Sequence, residues 1–221
     1  MRYSLAVIAA LLLTVLGLAR PAYGQVTSTS WNGYAVTGST YTSTTADWTM
    51  PSFTCGSPDD DEYAAIWTGL DGYSSPTTEQ IGAVAECVGR SPEYFGWYEM
   101  YPGPVQDFDN TLKPGDHLDA SVTYDGSSKF TLSLQDTTQG WTETTVQTLS
   151  GADRSSAETI VQTPSTLSCG PAETLANFTG DTVDGEALEN LNPVKVTGSD
   201  PDIVVSSVSG GTFSVTCKSS V

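Results

Sequence analysis

The chain has 221 residues, with 26 acidic and 8 basic side chains and a formal net charge of −18. A surface this acidic repels phosphate backbones and anionic lipids, so the composition argues against nucleic acid and anionic membranes as partners. The length suits one domain with a large core. The acidic excess favours either solubility outside the cell or tolerance of acid, because few cations are present to repel one another at low pH.

The first 24 residues are predicted to be a secretory signal peptide. Arg2 precedes the apolar run LAVIAALLLTVLGLA, and small residues at Ala22 and Gly24 come before a predicted cut at Gln25. The run is short for a membrane span. We therefore expect a secreted domain, residues 25–221, that has no membrane contact once the signal is removed.

The cysteines predict two disulfides. An even number of cysteines in an exported chain is typical of disulfide bonding, and sequence alone leaves three pairings open. The pairings Cys55–Cys87 and Cys169–Cys217 are favoured because each closes a shorter loop. A zinc site is not expected, since the chain has no CxxC motif and His117 is its only histidine.

The part of the chain after the signal has the period-two alternation of β-strands. Alternating apolar residues run through HLDASVTY (117–124), KFTLSLQ (129–135) and FSVTC (213–217), and the turns DGSS and TTQG follow the first two. Turns at intervals of roughly ten residues predict an all-β, single-domain antiparallel β-sandwich. Three loops are expected to be long: 52–62, 85–94 and 102–110.

Motifs of common hydrolases and metal sites are missing from the sequence. It contains no HExxH, GxSxG or P-loop motif. His117 follows the turn KPGD and is interpreted as a surface residue. The acidic run 59–62 lacks EF-hand spacing and is interpreted as a solvated loop rather than a calcium site. No cofactor and no metal are therefore expected.

Four stretches remain as candidates for chemistry. They are AAIWTGLDG (64–72), TTEQIGA (77–83), GWYEMYP (96–102) and SSAETIV (155–161). Each has an ordinary structural explanation: a core tryptophan, a surface amide, or a charge that protects an edge strand. Glu158 is the least ordinary of these residues, because it lies in an apolar strand and 155–163 contains no Lys or Arg to pair with it.

Together with WNGYAV (31–36) and ADWTMP (46–51), these stretches resemble, in order and spacing, the glutamic peptidases or eqolisins. The resemblance covers most of 31–163, and LANFTGDTVDGEAL (175–188) is a weaker echo. It implies a secreted, prokaryotic-type member with a concanavalin-like sandwich of two curved antiparallel sheets. It also implies an acid-active endopeptidase that acts on polypeptides as a monomer.

The resemblance places the catalytic dyad at Gln80 and Glu158. The residues expected to line or support the substrate cleft are Trp67, Asp71, Trp97, Glu99 and Tyr101. The chain departs from the family pattern at two places. An acidic residue often follows the family's glutamine by a few positions, and here Glu86 is the nearest substitute. Met100 stands where another tryptophan is usual.

Two other functions stay open on the sequence. Aromatic side chains on a curved sheet also suit a carbohydrate-binding module, with Trp67, Trp97 and Tyr101 as the platform. A pair of carboxylates such as Glu99 and Glu158 could serve a glycosidase as acid and base.

Overall fold

The computed structural model describes residues 29–56, 62–164, 167 and 172–218. The predicted signal peptide (1–24), the acidic residues 59–61 and Cys169 lie outside the described residues. No helix in the described part of the chain is long and apolar enough to cross a membrane.

The described residues form fifteen strands in two antiparallel sheets, which confirms the predicted all-β sandwich. The strands are β1 (Trp31–Thr37), β2 (Ser43–Thr49), β3 (Tyr63–Asp71), β4 (Thr78–Val88), β5 (Ser91–Tyr101), β6 (Gln106–Thr111), β7 (His117–Gly126), β8 (Lys129–Asp136), β9 (Trp141–Thr148), β10 (Ser156–Gln162), β11 (Glu173–Val183), β12 (Glu186–Ala187), β13 (Val194–Val196), β14 (Ile203–Val205) and β15 (Phe213–Cys217). A short 3-10 helix covers Leu188–Leu191.

The seven-stranded sheet has the order β13-β1-β10-β3-β4-β5-β6. The eight-stranded sheet has the order β14-β15-β11-β2-β7-β8-β9, and its eighth strand, β12, pairs with β11 off this path. The predicted meander is present as β7, β8 and β9, where alternate residues pack inward because a strand turns successive side chains to opposite faces. The core between the sheets contains Trp48, Ile66, Leu132 and Phe178, all of them fully buried.

The central strands of the seven-stranded sheet are buried on both faces. Every residue of β3 and of β10 is buried, so these strands are continuous runs of buried residues and do not alternate between buried and exposed positions. One face packs on the eight-stranded sheet. The other carries a second apolar cluster that includes Trp31, Trp67, Val84, Trp97 and Ile160, and we call it the outer face.

The disulfide Cys55–Cys87 is present as predicted. No described cysteine is free, but Cys169 lies outside the described residues, so its pairing with Cys217 stays a prediction. The prediction of a long loop at 85–94 is wrong, because β4 continues to Val88 and a tight turn at Gly89 leads into β5. Pro92 is tolerated in β5 because the pairing of β5 with β6 begins only at Phe95.

Candidate active site

Five neighbouring strands bring the predicted dyad into one row of the seven-stranded sheet. Glu158 on β10 lies opposite Gly69 on β3, Gly69 lies opposite Gln80 on β4, and Gln80 lies opposite Glu99 on β5. Ala35 on β1 continues the row beyond Glu158. Side chains that are directly opposite in adjacent strands project from the same face of a sheet. Gln80, Glu99 and Glu158 therefore all project from the outer face.

Gly69 leaves space between the two members of the predicted dyad. The strands that carry Gln80 and Glu158 are two strand spacings apart, roughly 9.6 Å. A side chain on the strand between them would fill that interval. A Cβ atom added at Gly69 would lie 2.9 Å from the carbonyl oxygen of Glu79 and 3.1 Å from Cβ of Gln80. Glycine at this position keeps the interval open.

Glu99 orients the carboxamide of Gln80. The Nε2 of Gln80 donates a hydrogen bond to Oε2 of Glu99 at 2.6 Å, and both side chains are buried. One N–H of the amide is thereby used, and the second can donate elsewhere. Burial raises the pKa of Glu99 to about 7, and the hydrogen bond from Gln80 lowers it only in part.

Glu86 does not provide the support for the dyad that the sequence suggested. It lies six residues after Gln80 on β4, roughly 20 Å away along the strand. It is opposite Glu93, and burial together with Glu93 and Asp107 raises the pKa of Glu86 to about 7. The carboxyl that contacts Gln80 comes from the neighbouring strand instead, at Glu99.

Glu158 is 1% exposed, and no Lys or Arg side chain contacts its carboxyl among the described residues. Burial raises its pKa well above the usual value, and the carboxylates of Asp71 and Glu79 raise it further. The Ser156 hydroxyl and the Tyr73 backbone are near enough to lower this pKa. Neither is in hydrogen-bonding geometry with the Glu158 oxygens, however. The protonated form is therefore favoured more than in an ordinary glutamate.

Asp71 connects the end of β3 to the start of β10. Its Oδ2 accepts the backbone N–H of Arg154 at 2.6 Å, and its Oδ1 accepts the backbone N–H of Ser155 at 2.8 Å and the Ser155 hydroxyl at 3.2 Å. Asp71 is fully buried and has φ 64°, a left-handed conformation that aspartate tolerates better than most residues. Its carboxylate therefore supports the strand that carries Glu158 rather than lining the cleft.

The predicted aromatic residues lie in the rows on either side of the dyad. Trp67 and Trp97 flank Gly82 in one row, and both are buried. The ring of Trp31 packs edge to face on Trp67, with centroids 4.9 Å apart. Tyr101 lies on the other side, opposite Thr78, and is half-buried. The row assignments thus bring the predicted site residues to the outer face with the exception of Asp71, which lies at the end of β3 and bonds to the backbone before β10.

The comparison with known families identifies the chain. Residues 29–221 match the family described as Peptidase A4. The chain belongs to the peptidase A4 family, the glutamic endopeptidases. Among curated proteins, this family member is similar to aspergillopepsin-2 from Aspergillus niger, with 28% identity over 143 residues, 56% of this chain and 50% of that protein. The chain thus spans about half the length of this curated relative.

Solved structures agree with the fold. Scytalido-glutamic peptidase, crystallised with a transition state analog inhibitor, has a TM-score of 0.71 and 25% identity, covering 86% of this chain and 98% of that one. SCP-B of the eqolisin family, in complex with the tripeptide Ala-Ile-His, has a TM-score of 0.66 and 23% identity with the same coverage.

One buried carboxyl near the site was missed from the sequence. Glu79 precedes Gln80 on β4 and therefore projects from the opposite face, into the core between the sheets. It is fully buried, and its oxygens have no hydrogen-bond partner among the described residues. Burial and the nearby Asp71 raise its pKa to about 8. The reasoning that singled out Glu158, a carboxyl inside an apolar strand, applies equally to TEQIGAVA and would have found it.

Proposed function

We propose that this glutamic peptidase family member is a secreted endopeptidase that hydrolyses polypeptides with Gln80 and Glu158 as its dyad. The observation that carries the proposal is the shared row, in which the two side chains project from one face on either side of Gly69. A water molecule between a carboxylate and a carboxamide is the arrangement that such hydrolysis requires.

In the proposed reaction, ionised Glu158 takes a proton from the water, and the water oxygen bonds to the scissile carbonyl carbon. The free N–H of Gln80 donates to the carbonyl oxygen as negative charge develops there. Such a donor is worth about 3–4 kcal/mol, and a positioned general base about 10²–10⁴-fold in rate. Protonated Glu158 then gives its proton to the nitrogen as the C–N bond breaks.

The environments of the carboxyls set the working pH. The raised pKa of Glu158 shifts the ionised, active form to a higher pH than an ordinary glutamate would give, so the acidic limb of the rate profile should lie at a higher pH as well. Glu99, with a pKa of about 7, is neutral below that pH and accepts the amide hydrogen bond without adding negative charge.

The test uses the full chain with the variants Glu158→Gln and Gln80→Ala, and denatured protein as substrate from pH 3 to 7. We expect each variant to lose at least about 10²-fold in kcat/KM, with a cooperative melting transition that shows the variant is folded. Glu143→Gln, on β9 of the other sheet, is the control and should keep wild-type activity. Full activity in either folded dyad variant would remove that residue from the chemistry.

No observation favours either alternative from the sequence. Two of the three rings of the carbohydrate platform, Trp67 and Trp97, pack inside the outer-face cluster. One oxygen of Glu99 accepts the hydrogen bond of Gln80, so Glu99 already has a partner other than the Glu158 that a glycosidase pair would need.

Peptide binding and secretion are supported indirectly. Scytalido-glutamic peptidase was also solved with a peptide based transition state analog, which supports a polypeptide substrate here. The disulfide Cys55–Cys87 suggests an extracellular location. Prokaryotic-type membership and a monomeric state stay predictions.

A further inference from the structure

Buried polar atoms that lack a hydrogen-bond partner gather on the outer face. Among the described residues they include Trp67 Nε1, Gln80 Oε1, Trp97 Nε1, Glu99 Oε1, both carboxyl oxygens of Glu158 and Gln162 Nε2. A buried polar atom without a partner is costly, so a cluster of them requires an explanation. The proposed reaction accounts for the atoms in the dyad row. It does not account for the two indole nitrogens or for Gln162.

Gln162 shares the face of the dyad. It follows Glu158 by four residues on β10, with Ile160 between them on the same side, because every second residue of a strand faces the same way. Its cross-strand neighbours are Trp31 and Ala65, both members of the outer-face cluster. Gln162 is 3% exposed, and its Nε2 has no partner among the described residues.

The distance from Glu158 to Gln162 matches the repeat of an extended peptide. Four residues along β10 span roughly 13 Å, and an extended substrate presents carbonyl groups to the same side at intervals of roughly 6.7 Å. A peptide aligned with the strands would therefore place a main-chain carbonyl near the dyad row and another, four residues away, near the row of Gln162.

We propose that Gln162 is a substrate-binding residue whose carboxamide N–H donates to a main-chain carbonyl of the bound polypeptide, about four residues from the scissile bond. This inference rests on the proposed peptidase function. It predicts that Gln162 favours the binding of long substrates, because a short peptide cannot reach it. An amide does not titrate in acid or neutral medium, so this contact persists over the working pH range.

The test compares two synthetic peptides that share one cleavage sequence. The longer peptide extends five residues on each side of the scissile bond, and the shorter one extends two. Gln162→Leu keeps the side-chain size and removes the donor. We expect its kcat/KM on the longer peptide to fall about five- to tenfold, mostly through KM, and its kcat/KM on the shorter peptide to stay within about twofold of wild type. Gln135→Leu on β8 of the other sheet is the matched control, with no change expected on either peptide.

A second variant separates the contact from packing. Gln162→Glu can donate only when its carboxyl is protonated. The measured quantity is kcat/KM on the longer peptide divided by kcat/KM on the shorter one. For Gln162→Glu this ratio should approach the wild-type ratio at pH 4 and fall as the pH rises, while the wild-type ratio stays flat. An equal loss of kcat/KM on both peptides, or no loss on either, would overturn the proposal. If Gln162→Leu fails to fold, Gln162→Met takes its place. If wild type cleaves neither peptide, or Glu158→Gln remains active, the proposed function itself fails instead.

Discussion

Glu99 and Glu158 are two carboxyls in the same row of the sheet, and their different contacts give them different tasks. Glu99 accepts the hydrogen bond of Gln80. Glu158 has Gly69 beside it and no protein donor in bonding geometry among the described residues. In many enzymes, two carboxyls in different surroundings take different roles in proton transfer. In the proposed reaction, the carboxyl beside the amide positions it, and the carboxyl beside the glycine is the general base.

Ionisation of Glu99 should set the alkaline limit of activity. Its pKa is raised to about 7 by burial, and above that pH a negative charge lies beside the amide that is proposed to stabilise the developing oxyanion. We expect wild-type kcat/KM to fall as the pH passes about 7, and Glu99→Gln to shift that fall upward. The measurement is kcat/KM on the longer peptide from pH 4 to 9.

Glu86 provides a matched control for this prediction. Its pKa is also raised to about 7, but it lies roughly 20 Å along the strand from Gln80. Glu86→Gln should leave the alkaline limit unchanged. An unchanged limit in Glu99→Gln, or an equal shift in both variants, would contradict the assignment.

The oddity of Glu158 could be recognised from its sequence neighbours, whereas the partner of Gln80 was missed because a turn was missed. A carboxyl in an apolar strand without a nearby cation is visible in SSAETIV. The contact between Gln80 and Glu99 depends on the register of β4 against β5, which the two-residue turn between Val88 and Ser91 sets. With a long loop expected at 85–94, the nearest candidate was Glu86 along the chain rather than Glu99 across the hairpin.

At the scale of elements, Asp71 joins two strands that are distant in sequence. Its carboxylate binds the backbone of Arg154 and Ser155 just before β10 begins, and so fixes the start of the strand that carries Glu158. Arg154 also places its guanidinium 3.8 Å from the ring centroid of Tyr124 on β7. The entry to β10 is thus held by both sheets.

Replacing Asp71 should reduce activity more than its effect on stability explains. Asp71→Asn turns one acceptor oxygen into a donor that faces backbone N–H groups, so we expect a loss of about 1–3 kcal/mol in the free energy of unfolding and faster hydrogen exchange at 154–158. The displaced Glu158 should lower kcat at least about tenfold. Calorimetry, hydrogen exchange and kinetics measure the three effects.

Asp184 offers a control of the same chemistry on the other sheet. Its Oδ1 accepts the backbone N–H groups of Thr42 and Ser43, both at 2.8 Å. Asp184 is exposed, and asparagine keeps the one oxygen that accepts both bonds, so Asp184→Asn should cost less stability than Asp71→Asn and leave kcat close to wild type. A kcat in Asp71→Asn no lower than in Asp184→Asn would show that Asp71 does not position Glu158.

Local hairpins were readable from the sequence, and the order of the central strands was not. Alternation and turn residues predict β7, β8 and β9, which pair with their neighbours in the chain. β10 instead inserts between β1 and β3, and its buried residues do not alternate. The row that unites the site therefore depends on contacts between distant segments, which only the family resemblance implied.

At the scale of the whole molecule, buried carboxyls should make the folded state more stable in acid than at neutral pH. Burial raises the pKa of Asp181 well above its usual value, as it does for Glu158, and it raises that of Glu79 to about 8. Each of these groups holds its proton more tightly in the folded chain than in the unfolded chain. Stability therefore falls as the pH rises, because the folded state binds more protons than the unfolded state. The sequence left solubility and acid tolerance as two explanations of the acidic composition. These buried groups provide a specific physical reason for acid tolerance.

Glu79 gives this pH dependence a direct test. Below pH 4.5 its carboxyl is neutral in both states, and between about 4.5 and about 8 only the folded state keeps the proton, so its contribution to stability is lost progressively across that window. Glu79→Gln stays neutral at every pH. We expect its melting temperature to equal that of wild type within about two degrees at pH 4 and to exceed it by several degrees at pH 8. Glu143→Gln on the half-exposed strand β9 is the control and should show no such divergence. If the difference in melting temperature between Glu79→Gln and wild type is the same at both pH values, packing and not ionisation governs this position.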